Sequence, residues 1–107
     1  MPIDAVVILS TAPPGEAAEI ARVLVEERLA ACVQLAGIRS LYCWHGRIAD
    51  EPEELMLIKT RRPLAEAVIA RIGELHSYET PEAVVIPVET GSPDYLSWLA
   101  GETMEPR

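Results

Sequence analysis

The sequence predicts one α+β domain: strand, helix, strand, strand, helix, strand, then a short terminal helix. Three observations carry this. Apolar runs of strand length, Ala5 to Leu9, Leu55 to Ile58 and Ala83 to Ile86, are separated by longer segments. Two of those segments repeat apolar residues every three or four positions, as an amphipathic helix does. The chain has 107 residues, and no Pro-, Gly- or Ser-rich linker divides residues 1–107, so one domain is expected.

Asp4 to Ser10 reads as the first strand, and Thr11 to Gly15 as a turn. Pro13 and Pro14 suit the approach to a helix and not its interior. Glu16 to Ala30 is the first helix. Ala17, Ile20, Ala21, Leu24 and Val25 form its apolar stripe, with Glu16, Glu19, Arg22, Glu26 and Glu27 opposite. Cys32 to Leu35 and Ile38 to Ile48 read as a long strand interrupted at Gly37, where a bulge or bend is expected. Ala49 to Glu53, A-D-E-P-E, reads as an acidic turn, and Glu54 to Arg61 as the returning strand. Arg62 and Pro63 open the second helix, whose stripe is Leu64, Val68, Ile72 and Leu75. His76 to Glu82 is a loop, and Ala83 to Val88 a fourth strand with Pro87 at an edge or bulge. Ser92 is the expected cap of the last helix, with Pro93 at its first position. Tyr95, Leu96, Trp98 and Leu99 are its expected anchors.

Two βαβ units in tandem make the ferredoxin-like pattern. Right-handed crossovers place both main helices on one sheet face. Strands covered on one face alone should alternate apolar and polar residues. These do not. Each apolar run puts about two apolar side chains on the face without helices, about six over three strands. Leaving them in water forgoes roughly 1.5–3 kcal/mol per large side chain. One short helix does not cover a sheet, so the pattern predicts an oligomer.

The formal net charge is −8, which repels phosphate backbones and anionic lipids. Neither a nucleic-acid nor a membrane partner is expected, and no run approaches the ~20 apolar residues of a membrane helix. The two cysteines, Cys32 and Cys43, lie outside any C-x-x-C motif. The segment before Ala5 has no basic residue, and the apolar run after it is too short for a signal sequence. Together these point to reduced thiols in the cytoplasm.

Residues able to carry chemistry are few. Cys32 stands at a strand entrance, where it is either a soft-metal ligand or a small buried hydrophobe. Cys43 and His45, two apart on one expected strand, would share a face and fall short of a full ligand set alone. His76 follows the second helix and reads equally as a C-terminal cap or, with Glu79, as a metal ligand. Tyr42, Trp44, Tyr78 and Trp98 are expected to line a cleft between subunits. Glu82 and the lone lysine, Lys59, belong to the same candidate cleft. No phosphate loop, dinucleotide fingerprint or H-E-x-x-H motif is present, so no organic cofactor is expected.

Six landmarks then occur in order: T-A-P from Thr11, L-A-A-C-V from Leu29, S-L-Y-x-W-x-G-x-I from Ser40, L-I-K-T from Leu57, H-x-Y-E-x-P-E from His76, and D-Y-L-x-W from Asp94, with Cys32 inside the second. In this set the chain resembles the CutA family of divalent ion tolerance proteins over nearly its whole length. The resemblance implies a ferredoxin-like protomer, a PII-like homotrimer around a three-fold axis, and divalent metal ions, copper among them, as ligands. It implies binding or signalling and not catalysis. The chain departs from the family pattern at Ser77, where Pro is usual, and at Gln34, Ser10 and Leu75, where Asn, Cys and a second His occur in relatives.

A small enzyme on the same fold, acting at an inter-subunit cleft, is the alternative, since fold alone does not decide function. An acylphosphatase would need an arginine near the end of the first strand, and none precedes Arg22. RNA binding on the sheet would need basic charge and central-strand aromatics, whereas Val, Leu and Ile stand there.

Overall fold

A computed structural model of the chain describes residues 4–103. The elements run β1 (Ala5–Ala12), α1 (Glu16–Glu26), β2 (Cys32–Trp44), β3 (Arg47–Arg61), a 3₁₀ turn (Arg62–Leu64), α2 (Ala65–Leu75), β4 (Val84–Pro87) and α3 (Pro93–Glu102). The sheet order is β2-β3-β1-β4, with every neighbouring pair antiparallel. This is the ferredoxin-like arrangement the sequence predicts.

α1 and α2 pack on one sheet face. Val6, Ile8 and Ala12 of β1 and Met56 and Ile58 of β3 meet Ala17, Ile20 and Leu24 of α1 and Val68 and Ile72 of α2 in the main core. Alternation puts Val7, Leu9, Leu55, Leu57, Val84 and Ile86 on the second face. These are the six apolar side chains expected there, and none is fully buried. Ala5, Ala31 and Leu99 form a smaller cluster where α3 crosses the far end of this face.

Two arginines hold α3 in place. Arg28 Nη2 donates to the Gly101 carbonyl at 2.6 Å, and Arg61 Nη2 donates to the Thr103 carbonyl at 2.6 Å. Both bring positive charge to the helix C-terminus, where the macrodipole favours it. Leu96 and Leu99 are the anchors of α3, whereas Tyr95 and Trp98 are exposed and stack on each other at 5.6 Å. Ser92 precedes the helix but makes no side-chain capping bond.

α1 stops at Glu26, short of the expected Ala30, and Val25 is left exposed. Arg28 sits at φ 61°, Leu29 N–H donates to the Leu24 carbonyl and Arg28 N–H to the Val25 carbonyl. That is a Schellman closure with arginine in the left-handed position usually held by glycine.

The largest departure concerns the β2–β3 hairpin. β2 runs without a break through Gly37, which pairs with Glu54. The chain reverses at His45 (φ 50°) and Gly46 (φ 76°), so the turn is the two-residue loop between Trp44 and Arg47. Positive φ at both central residues is the type I′ requirement. The A-D-E-P-E segment is therefore strand, with Pro52 opposite Arg39. Proline is tolerated because β1 ends opposite Glu54, leaving this stretch of β3 paired on one side only. Beyond that point β2 and β3 form a free arm whose Leu41, Trp44 and Ile48 are 62%, 46% and 74% exposed.

Candidate functional site

A cavity of about 850 Å³ opens where the arm leaves the sheet. On one side stand Ser40, Tyr42 and Trp44 of β2 and Glu51 and Glu53 of β3. These share the face without helices, since Ser40 pairs with Glu51 and the others lie two residues apart. Opposite is the loop after α2, with Ser77, Tyr78, Glu79, Thr80 and Glu82, and Thr11 closes the end of β1.

The loop is pinned by His76, whose side chain is 0% exposed. Its Nε2 lies 2.7 Å from the Thr11 carbonyl oxygen, and its Nδ1 accepts the Tyr78 N–H at 3.0 Å. This pattern uses the tautomer protonated at Nε2. Ser77 adds two bonds to Glu16 Oε2, from its N–H at 3.2 Å and its hydroxyl at 3.0 Å. Proline at this position could make neither, so the departure at Ser77 tightens the loop against α1.

Tyr78 reaches from the loop to β3. Its hydroxyl donates to Glu53 Oε2 at 2.7 Å. Glu53 is only 5% exposed, and no cation pairs with it among the described residues. Burial, then the hydrogen bond to the Glu53 carboxylate, pushes the Tyr78 phenol well above its usual pKa. A parallel pair stands beside it: the Tyr42 hydroxyl donates to Glu51 Oε2 at 3.3 Å. Burial and the Glu51 charge raise Tyr42 likewise. Arg39, at the rim, is occupied by Asp50 through a bidentate pair at 2.7 and 2.8 Å, which lowers the Asp50 pKa. The pocket is thus acidic, with an aromatic wall.

The expected cleft residues divide into two groups within one chain. Tyr42, Trp44, Tyr78 and Glu82 line this cavity, together with Glu79. Lys59 and Trp98 lie toward the other end of the sheet, where Lys59 Nζ stands 5.6 Å from the Tyr95 ring centroid and Trp98 stacks on Tyr95. Cys32 pairs in register with Lys59 in that second group. Along β2 it is ten residues from Tyr42, or roughly 33 Å at the usual strand rise. Cys43 is exposed near the arm tip, and His45 occupies the turn, so the two do not share a strand face. Both cysteines are free.

Among the described residues no three His, Cys, Asp or Glu side chains converge as a metal-holding group. The donor set of one chain therefore does not fit a resident zinc or copper centre, which needs about four ligands. Sequence reasoning missed Glu51 and Glu53 as cavity residues, because Pro52 and the acidic run read as a turn. Continuing the period-two alternation from Leu55 and Leu57 back through Glu53 and Glu51 would have found them.

Comparison with known proteins agrees with this architecture. The family model described as CutA1 divalent ion tolerance protein matches residues 5–102. A divalent-cation tolerance protein CutA from Pectobacterium atrosepticum is 48% identical over 98 residues, covering 90% of this chain and 89% of that protein. The crystal structure of CutA from Xylella fastidiosa superposes with a TM-score of 0.91 at 44% identity, covering 94% of this chain and 99% of that one. A PII-like protein CutA from Nostoc sp. PCC 7120, solved in apo form, gives 0.89 at 39% identity, covering 92% and 97%. With the fold, its six sequence landmarks and these matches in agreement, the chain belongs to the CutA1 divalent ion tolerance family.

Proposed function

We propose that the chain is the protomer of a PII-like homotrimer that serves tolerance of, or response to, divalent metal ions, copper among them. It acts by binding and signalling and not by catalysis. The observation that supports this best is the uncovered sheet face. Six apolar side chains there, four partly and two largely exposed, continue into Trp44 on the same face of the arm and are not fully covered in a single chain; Leu41 and Ile48 are exposed on the arm's other face. Contiguous apolar surface of this kind marks an interface. β2 adds an unpaired edge of 13 residues, which a second chain can satisfy.

The metal part of the reading draws on the family description and on the acidic cavity. Metal contact would need donors from more than one chain, with Glu79, Cys43 and His45 the accessible candidates. His76 would first have to release Thr11, and Cys32 pairs in register with Lys59 toward the other end of the sheet. The two free thiols support a cytoplasmic setting. No helix among the described residues is long and apolar enough to cross a membrane.

A small enzyme working at the cleft is the second reading, favoured by the Tyr78–Glu53 pair, which has the form of a proton donor and acceptor. The test is native mass spectrometry with and without Cu²⁺ and Zn²⁺. The proposal expects three chains and metal retained by the assembly. A monomer, or an assembly that retains no metal, would remove the corresponding half.

A further inference from the structure

We propose that the helix-free sheet face closes head to tail, with the Lys59 ammonium of one copy entering the acidic cavity of the next and compensating Glu53 there. The inference rests on the homotrimer reading, and it adds which end of one copy meets which end of its neighbour.

Two lone charges on one face carry the argument. Glu53 is almost fully buried, accepts one hydrogen bond, from Tyr78, and has no cation among the described residues. Lys59 is the only lysine of the chain, and no carboxylate pairs with it among the described residues. Its Nζ stands 5.6 Å from the Tyr95 ring centroid instead. Period-two alternation along β3 puts Glu53, Leu55, Leu57 and Lys59 on the same face. The two leucines lie between the two charges. Covering the leucines therefore takes both charges out of water, where each needs an opposite charge.

The two do not meet within one chain. Six residues of strand separate them, roughly 20 Å, which is beyond the reach of both side chains together. A second copy must present the opposite end. In a three-fold ring every interface is heterologous, so one patch meets a different patch on the neighbour. That symmetry joins the Lys59 end of each copy to the Glu53 end of the next.

The other cations are less suited. Arg28, Arg39, Arg61, Arg62 and Arg71 are bound within the chain. Arg22 is exposed on α1, on the helix side of the sheet, and Arg47 stands at the exposed arm tip, where it keeps its water. The two ends also match in surface. Tyr95 and Trp98 beside Lys59 are exposed aromatics, and Tyr42 and Trp44 line the cavity that receives them. Glu51, Glu79 and Glu82 extend its negative charge, so the ends attract.

The test is cross-linking of the assembled protein with a water-soluble carbodiimide, which joins an amine to a carboxylate in direct contact. With one lysine per chain, every side-chain link starts at Lys59. The expected product runs at two and three chain masses after denaturation. Peptide mapping should join Lys59 to Glu53, or to Glu51, Glu79 or Glu82 beside it. Lys59→Met should lose this product and weaken assembly at least tenfold by sedimentation. Glu53→Gln should weaken it similarly, and the double variant should be no weaker than either single one. If Glu53→Gln does not fold, Lys59→Met and the mapped link still decide. Links from Lys59 to acids outside the cavity, such as Asp94, overturn the proposal, as does a Lys59→Met variant that assembles as tightly as wild type. A trimer with either result keeps the homotrimer reading and ends this one. A wild-type monomer ends both.

Discussion

His76 and Thr11 are 65 residues apart, and the His76 Nε2 stands 2.7 Å from the Thr11 carbonyl oxygen. The ring ties the end of α2 to the end of β1 and sets the loop that forms one wall of the cavity. His76→Ala removes that bond and the one Nδ1 accepts from Tyr78, leaving the Thr11 carbonyl in need of a partner. The expected loss is about 1–3 kcal/mol of stability, read by urea denaturation. Unchanged stability would mean that the loop holds its place without the ring.

Ser10 makes the opposite case. Its Oγ is fully buried beside the core and has no hydrogen-bond partner. A buried hydroxyl left unpaired is a liability of about 1–3 kcal/mol. Ser10→Ala removes it with almost no loss of volume. Thermal unfolding should show a melting temperature equal to or above wild type. A clear fall would reveal a role for the hydroxyl.

The hairpin turn tests the left-handed geometry. Gly46 lies at φ 76°, and an added Cβ would meet no atom within 4 Å. The penalty in Gly46→Ala is then backbone strain alone, roughly 1–2 kcal/mol. His45→Asn, at φ 50°, should be neutral or slightly stabilising, since asparagine tolerates this region better than most residues. Denaturation of both variants checks the contrast.

Alkaline pH tests the Tyr78–Glu53 bond. The folded phenol ionises above its ordinary value of about 10, so folding favours its protonated form. That contribution is fully present below the unfolded value and is lost as pH rises through the folded one. Phenolate absorbance of the folded protein should lag behind that of the denatured chain. In Glu53→Gln one phenol should ionise at lower pH than in wild type, still above the ordinary value because burial is the larger cause. An identical titration in the variant would contradict the geometry.

Much of this fold was legible because its signals are local. The Ile20–Leu24 and Val68–Ile72 spacings marked the helices, and the unbroken apolar runs of β1, β3 and β4 announced a sheet loaded on both faces. The hairpin was misplaced because H-G is a weaker turn signal than N-G or D-G, while A-D-E-P-E contains a proline and three acids. Proline breaks a strand only where its N–H is needed, and the lone pairing of β3 at Pro52 was a tertiary fact. The site was half legible. Tyr42, Trp44, Tyr78, Glu79 and Glu82 were named, but the grouping of Lys59, Trp98 and Cys32 at the other end depends on strand register. The bond from His76 to Thr11 links distant segments, and no local pattern encodes it.

The central claim is that the face carrying Val7, Leu9, Leu55, Leu57, Val84 and Ile86 is closed by two further copies of the chain. Sedimentation equilibrium at micromolar concentration tests it most directly, with Leu57→Asp as the paired variant. Placing an unpaired charge in that face cannot be offset cheaply. The account predicts three chain masses for wild type and dissociation or unfolding for Leu57→Asp. A stable wild-type monomer at these concentrations would contradict it.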